Sequence, residues 1–384
     1  MRKTRRLWIS IAMIALSAAG TERTVARGSD FNGAEYEGNA KEGELVLSPS
    51  EPRLASQRSV LEEGADCVSG CRDCFAPCCC GPLWEARAAA VFLKRDNPDP
   101  ASYITGSDER EIFNFSQFSF DYEPGVDVSL IRHLDSGDSI ELRYLGVWDT
   151  GDHIVSPTYP GGDVYYNTNP VTAAYFAGNT ILTTDYDSEF HSAEINLGSP
   201  RFGAINFLMG FRYLRLNERF VANFDFIDTP GAYANWDAHV TNDLYGVQVG
   251  GEGVLLSRGR LQVQGAGRAG LCGIHAQHTL NWRSVDPSNP SGDNNTAGLA
   301  HENDVAFIGE VGLTGQYQLY RNLAVFAGYQ LLWLDGVATA SGQIKSTPDV
   351  FPYLPLPASI PRFGINSNSD VFYQGFNVGV EFRR

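Results

Sequence analysis

Three things are scarce in this chain of 384 residues, and each scarcity removes a class of protein. Beyond the first twenty positions no stretch approaches 18 consecutive apolar residues, which excludes a bundle of membrane-crossing helices. Basic residues are few, 29 Lys and Arg against 45 Asp and Glu, and only 19% of the chain is charged. The formal charge of −16 therefore leaves no electrostatic footprint for nucleic acid, and acidity by itself argues for solubility rather than for a partner. Cysteine is nearly absent outside one short segment. Six of the seven are Cys67, Cys71, Cys74, Cys78, Cys79 and Cys80, and only Cys272 stands elsewhere.

What is present begins with a leader. MRKTRR is basic, LWISIAMIALSAAG is apolar, and Ser17-Ala18-Ala19 or Ala18-Ala19-Gly20 supplies small residues for cleavage, so residues 1–20 read as a secretory signal peptide. The apolar run is too short for a spanning helix, and no Leu-x-x-Cys-like box adjoins it, so a lipid anchor is not expected. Residues 21–66 are polar, of mixed charge and without period, as in a disordered arm. The Cys-rich segment follows at 67–83. Its C-x₃-C-x₂-C-x₃-C-C-C spacing matches neither paired zinc ligands nor a ferredoxin run. In an oxidising compartment its cysteines are expected to form disulfides, within the segment or between chains.

From Trp84 onward the pattern is period-2 ribbon. Gly (40), Tyr (17) and Phe (22) are plentiful, a composition suited to strands and turns. Strands are expected near 84–94, 117–134, 139–149, 187–198, 204–216, 241–256, 260–274, 304–320, 322–334 and 370–384. Most separate into faces: in FIGEVGLTGQYQLY, Val311, Leu313 and Tyr317 oppose Glu310, Thr314 and Gln316. AINFLMGFRYLR is less clean, since Leu208 and Leu214 share a face with Asn206 and Arg212. Short connections (DSGD, SPRFG, SRG, YRN) alternate strictly with long polar ones, the habit of outer-membrane barrels with short periplasmic turns and long outer loops. A soluble β-sandwich has no reason to sort its loops this way. The fold expected is all-β, one antiparallel up-and-down transmembrane barrel over 84–384 with about ten strands. Twelve result if VYYN and AAYFAGNTILTT form an extra hairpin. Tyr144, Trp148, Tyr213, Tyr245, Trp282, Tyr329, Trp333 and Tyr373 lie near the proposed strand ends, where amphipathic rings favour an interface.

The last segment, DVFYQGFNVGVEFRR, places Phe376, Val378, Val380 and Phe382 on one face, as a strand closing a barrel requires. It also resembles the signal read by the outer-membrane assembly machinery, although Arg383 and Arg384 follow where an aromatic usually closes it. The opening strand PLWEARAAAVFLKRDNP and this ending, with Trp84–Ala89 and Gly375–Phe382 as motifs, resemble the seventh of the families called putative beta-barrel porins, over roughly 82–384. The resemblance implies an outer-membrane barrel and carries no catalytic residues.

Candidate chemistry is sparse. Glu141, Arg143, Glu194, Arg212, Glu252, Arg268, Glu310, Glu381 and Arg383 fall on the expected lumen face, where opposite charges either line a channel or pair into a plug. His275 and His278, three apart, point to opposite faces of a strand and make poor joint ligands. Cys272 is expected to be buried as a small apolar residue. Asp149, Asp152 and His153 stand at the outer rim, a position from which Asp and His can activate water. GVQVGGEGV opens no helix, so it is no nucleotide fingerprint, and its glycines relieve crowding. The reading is a non-enzyme with neither metal nor cofactor, sited in the outer membrane of a two-membraned bacterium after leader cleavage. Its expected partners are outer-membrane lipid, the assembly machinery and an envelope protein reached through the Cys arm. Passive, weakly selective diffusion of small solutes is the leading function. A closed structural or surface-interaction barrel with a plugged lumen is the alternative, and a rim hydrolase the third.

Overall fold

The computed structural model describes residues 83–98, 102–106, 111–156, 164–166, 179–202, 205–288, 293–346 and 365–384. The leader, the arm and the six clustered cysteines lie outside these. In chain order the strands are β1 (Trp84–Arg95), β2 (Ser102–Gly106), β3 (Glu111–Asn114), β4 (Tyr122–His133), β5 (Ser139–Val155), β6 (Val164–Tyr166), β7 (Thr180–Phe202), β8 (Ile205–Phe226), β9 (Tyr233–Arg258), β10 (Leu261–Val285), β11 (Asn294–Tyr320), β12 (Leu323–Val337) and β13 (Ser369–Arg383), with a helix α1 (Ala340–Ser346). Ten of them close one antiparallel barrel in the order β1-β13-β12-β11-β10-β9-β8-β7-β5-β4. Closure comes from β1, which pairs with β13 on one edge and β4 on the other, so no edge stays open. Tyr166 and its neighbours join β2 and β3 in a separate small sheet, and Thr180 already belongs to β7, so the barrel has ten strands and not twelve.

One end is trimmed. Its hairpins turn at 134–138, 259–260 and 321–322, and β7 and β8 also meet there, Phe202 pairing with Ile205. Two of these turns need left-handed backbone, supplied by Gly137 (φ 87°) and Gly259 (φ 61°), a conformation that is nearly free for glycine.

The strands reach further at the other end than their sequence pattern suggests, because the pattern inverts partway along. On the outer wall of β8, Phe207, Met209 and Phe211 are exposed, Tyr213 follows, and then come Arg215, Asn217 and Arg219. On β9, Val249 and Val247 give way at Tyr245 to Asp243, Thr241, His239 and Asp237. The Tyr213 and Tyr245 rings sit 5.0 Å apart at this boundary. Above it, cross-strand pairs Arg215–Asp243 (2.7 Å) and Arg219–Asp237 (2.8 Å) cover the outside. The lumen face changes the opposite way: on β8, Arg212 is followed inward by Leu214, Leu216, Phe220, Ala222 and Phe224, all buried. A spanning strand needs about 9–11 residues, whereas β8 to β11 have 22 to 27. Outside the lipid the wall must be wettable, and the inside must then supply the apolar core. This inversion explains why Leu214 shares a face with Arg212 in AINFLMGFRYLR, and it returns 217–226 and 233–240 of the expected loop to strand.

Among the girdle residues expected, Tyr144, Trp148, Tyr213, Tyr245 and Tyr329 lie on the outer wall. Trp282 and Tyr373 do not: both are buried in the lumen, on stretches beyond the inversion. Residues 117–121 also depart from expectation, lying ahead of β4 in an inward-folded segment rather than in the wall.

Candidate functional site

The lumen is filled in two layers. The lower layer, inside the lipid-facing band, is ionic. Arg143 on β5 donates to Glu310 on β11 at 2.6 Å and grips Asp127 through two nitrogens at 2.7 and 3.0 Å, with Glu194 at 3.3 Å. Arg212 reaches the other oxygen of Glu310 at 3.0 Å and Ser192 at 2.8 Å. Arg268 contacts Glu310 and Glu141, each at 3.4 Å. Gln248 donates to Glu194 and Asn196, both at 2.7 Å. Nearer the trimmed mouth Arg87 binds Glu85 at 2.6 Å and Glu381 at 2.9 Å, Arg383 binds Glu381 at 2.6 Å, and Glu252 stands 3.8 Å from Arg87. The nine sequence-selected lumen residues thus fall into two ionic clusters, one centred on Glu310 and the other, nearer the mouth, on Arg87 and Glu381. Asp127, Glu85 and Arg87 belong to them as well. Their alternation within β4 and β1 was a usable signal for them.

Removing a carboxylate from water is costly unless every lone pair finds a donor, and here the guanidiniums are shared to supply them. The space left is a cavity of about 120 Å³ between Arg87, Glu141, Arg143, Arg268, Glu310 and Glu381, with a smaller one of about 50 Å³ toward the mouth. Small backbones keep the walls close. A Cβ at Gly246 would collide with the Leu271 carbonyl and with Sγ of Cys272, which is buried across from it.

The upper layer is apolar. A segment ahead of β4 folds into the barrel and inserts Phe113, Phe115, Phe118 and Phe120, none of them exposed, against Tyr186 and Phe220. Its 3-10 turn (Phe115–Gln117) is capped by Asn114, which accepts the Ser116 N–H at 2.9 Å. Among the described residues one ion pair crosses this layer. Arg95 on β1 meets Glu218 on β8 at 2.7 Å and lies over the Phe120 and Tyr186 rings at 5.1 and 5.2 Å. Glu218 also accepts from Tyr186 O–H at 2.6 Å and from the Ala340 N–H at 2.9 Å, which ties α1 into the lumen. Asn242 holds the Ala338 backbone in both directions at 2.8 Å. Sequence reasoning missed this plug because it treated 95–116 as loop and put Phe118 and Phe120 in the wall strand expected at 117–134, although three Phe within FNFSQF marked it.

Of the rim candidates, the Asp149 side chain lies outside those described, and Asp152 and His153 are not brought together. Asp152 accepts the Ser119 N–H at 2.7 Å and so pins the plug segment. His153, next in the strand, faces outward and pairs with Asp185 at 2.5 Å. Adjacent strand residues point to opposite faces, so the two share no substrate. His275 is likewise exposed on the outer wall while His278 is buried in the lumen. Among the described residues no group of three or more His, Cys, Asp or Glu could hold a metal. Phe376, Val378, Val380 and Phe382 are all exposed along β13.

Among solved structures the chain is similar to the outer membrane protease OmpT from Escherichia coli, at 8% identity and TM-score 0.42, over 78% of this chain and 96% of that one. It is also similar to the outer membrane channel DcaP of Acinetobacter baumannii (9% identity, TM-score 0.21, 78% and 96% covered). A third is the anion-selective porin from Comamonas acidovorans (8%, TM-score 0.16, 78% and 98%). No curated protein sequence matches. Residues 165–383, more than half of the 384, match the family model described as "Putative beta barrel porin-7 (BBP7)". A closed ten-stranded barrel with an apolar outer band, together with that match, places the chain in the BBP7 family of outer-membrane β-barrels.

Proposed function

We propose that this protein is an occluded outer-membrane barrel, a rigid membrane-held scaffold that presents its tall outer wall and rim rather than an open passage. One observation carries the reading: Arg143 and Glu310 sit on opposite walls and bond directly across the lumen. The apolar plug above them supports it independently, since Phe113 to Phe120 fill the region beyond the lipid band. Passive diffusion of small solutes, the reading its family name suggests, would require both layers to move aside. The cost is several ion-pair contacts in a poorly hydrated space together with a buried aromatic cluster.

Planar-bilayer recording tests this directly, using protein whose folded insertion is verified by heat-modifiable gel mobility. Silent membranes are expected. Stable, repeatable conductance steps from the wild-type chain overturn the proposal.

A further inference from the structure

Arginine is distributed unevenly over this acidic barrel. Arg87, Arg95, Arg143, Arg212, Arg215, Arg219, Arg268 and Arg383 are all paired with carboxylates. Arg132 and Arg283 lie over the Trp84 and Tyr233 rings, at 4.8 and 5.7 Å. Four others, Arg258, Arg260, Arg321 and Arg384, are exposed and make no ion pair among the described residues. All four stand at the trimmed end.

They also form a continuous arc with Arg132. Gln318 N–H donates to the Arg260 carbonyl at 2.9 Å, which joins the 259–260 turn to the 321–322 turn. Arg383 N–H donates to the Asn322 carbonyl at 2.9 Å, Arg384 and Trp84 exchange two bonds of 2.8 Å, and His133 N–H reaches the Leu83 carbonyl at 3.0 Å. The arc therefore runs from β9 through β10, β11, β12, β13 and β1 to β4. Exposed Leu83, Trp84, Leu256, Leu261, Tyr320 and Phe382 are interleaved with it and continue directly into the lipid band. Opposing charge at this end comes from Asp135 and Asp138 in the 134–138 turn, where Asp138 is already bonded to Ser136 and Ser199, and on the lumen side from Glu85, Glu252 and Glu381, which face Arg87 and Arg383.

We propose that this arginine arc binds the anionic phospholipid head groups of the leaflet at the trimmed end. A guanidinium on a long stem can lay its methylenes along acyl chains and keep its charge at phosphate level, where it forms bidentate bonds. Basic groups beside an anionic leaflet gain about fivefold each in association. Placement at the edge of the lipid band favours a lipid over a soluble polyanion or a cell-wall glycan. A ligand of that kind would be met equally well by charges on the lumen mouth.

The test refolds the whole chain in nanodiscs of phosphatidylcholine alone and of phosphatidylcholine with phosphatidylglycerol, and reads the midpoint of the heat-modifiable gel shift. The wild type should melt higher in the anionic discs, with the gain lost in high salt. The quadruple variant R258Q/R260Q/R321Q/R384Q should melt as the wild type does in neutral discs and lose the anionic gain. If the quadruple variant fails to refold, R321Q and R384Q singly should each retain several-fold less phosphatidylglycerol in native mass spectrometry. An equal anionic gain in wild type and variant overturns the proposal. So does arginine-dependent sedimentation with cell-wall glycan in the absence of any lipid response.

Discussion

Arg143 and Glu310 meet at 2.6 Å although their strands are five steps apart round the ring of ten in either direction, β5 to β11 through β7, β8, β9 and β10 or through β4, β1, β13 and β12. A contact between diametrically opposed walls acts as a strut. Arg143→Ala should cost about 3 kcal/mol, the low end for a broken buried pair, because Arg212 and Arg268 still reach Glu310. Arg143→Lys should fall between, since an ammonium cannot reproduce the two-pronged grip on Asp127. Urea midpoints in detergent check this. An alanine variant as stable as wild type would remove the strut.

The inversion at Tyr213 and Tyr245 separates two positions on one face of one strand. Val249→Lys, deeper in the lipid band, places charge against lipid and should cost about 2–4 kcal/mol. Thr241→Lys, on the same outer face beyond the boundary, should change stability by less than about 0.5 kcal/mol, as at a wetted surface site. Equal costs at both positions would mean the water boundary lies elsewhere.

The plug should behave as a folded core. Phe115→Ala, at a site with no exposure, should cost about 3–5 kcal/mol. Asp152→Ala should release the Ser119 amide, seen as faster hydrogen exchange there, without abolishing any peptidase activity of the preparation. Protection at Ser119 unchanged in that variant would contradict the role given to Asp152.

One carboxylate in an outer turn has a predictable acid response. Asp228 accepts from the Asn179 backbone N–H at 2.7 Å and from its side-chain amide at 3.1 Å, and these bonds, the backbone one first, hold its carboxyl below the usual aspartate range. A folded-state value below the unfolded one means stabilisation that is present above the ordinary aspartate range and lost as pH falls through the folded value. Asn179→Ala should cancel the side-chain share. Carboxyl NMR titration in micelles should show Asp228 protonating at lower pH than free aspartate, and an ordinary value would refute the assignment.

The legible parts of this molecule were those governed by a single solvent boundary. Within the lipid band, Val378 and Val380 outward with Glu381 and Arg383 alternate as lipid and lumen demand, so strand number and the charged lumen face could be read from the chain. Beyond the band the same alternation continues with opposite meaning. LNERFVANF on β8 reads as a polar loop when apolar residues are required to face outward, and as a strand once water lies outside and Phe220 and Phe224 point in. Nothing local tells a strand that leaves the lipid from one that ends there, so the sequence places an interface at Tyr213 correctly but stops the strand at 216, whereas β8 continues to Phe226.

By itself the sequence determined the period-2 ribbons, the turns at glycines such as Gly259 and the sorting of charge away from one face, because these follow from backbone geometry and from neighbours a few residues away. Tertiary structure alone decided that Arg143 would find Glu310 at a separation of 167 residues and that Phe115 would fold into the barrel it precedes. Closure of the ring sets which walls oppose one another, and only then is there an interior whose charge must be matched and whose volume must be filled.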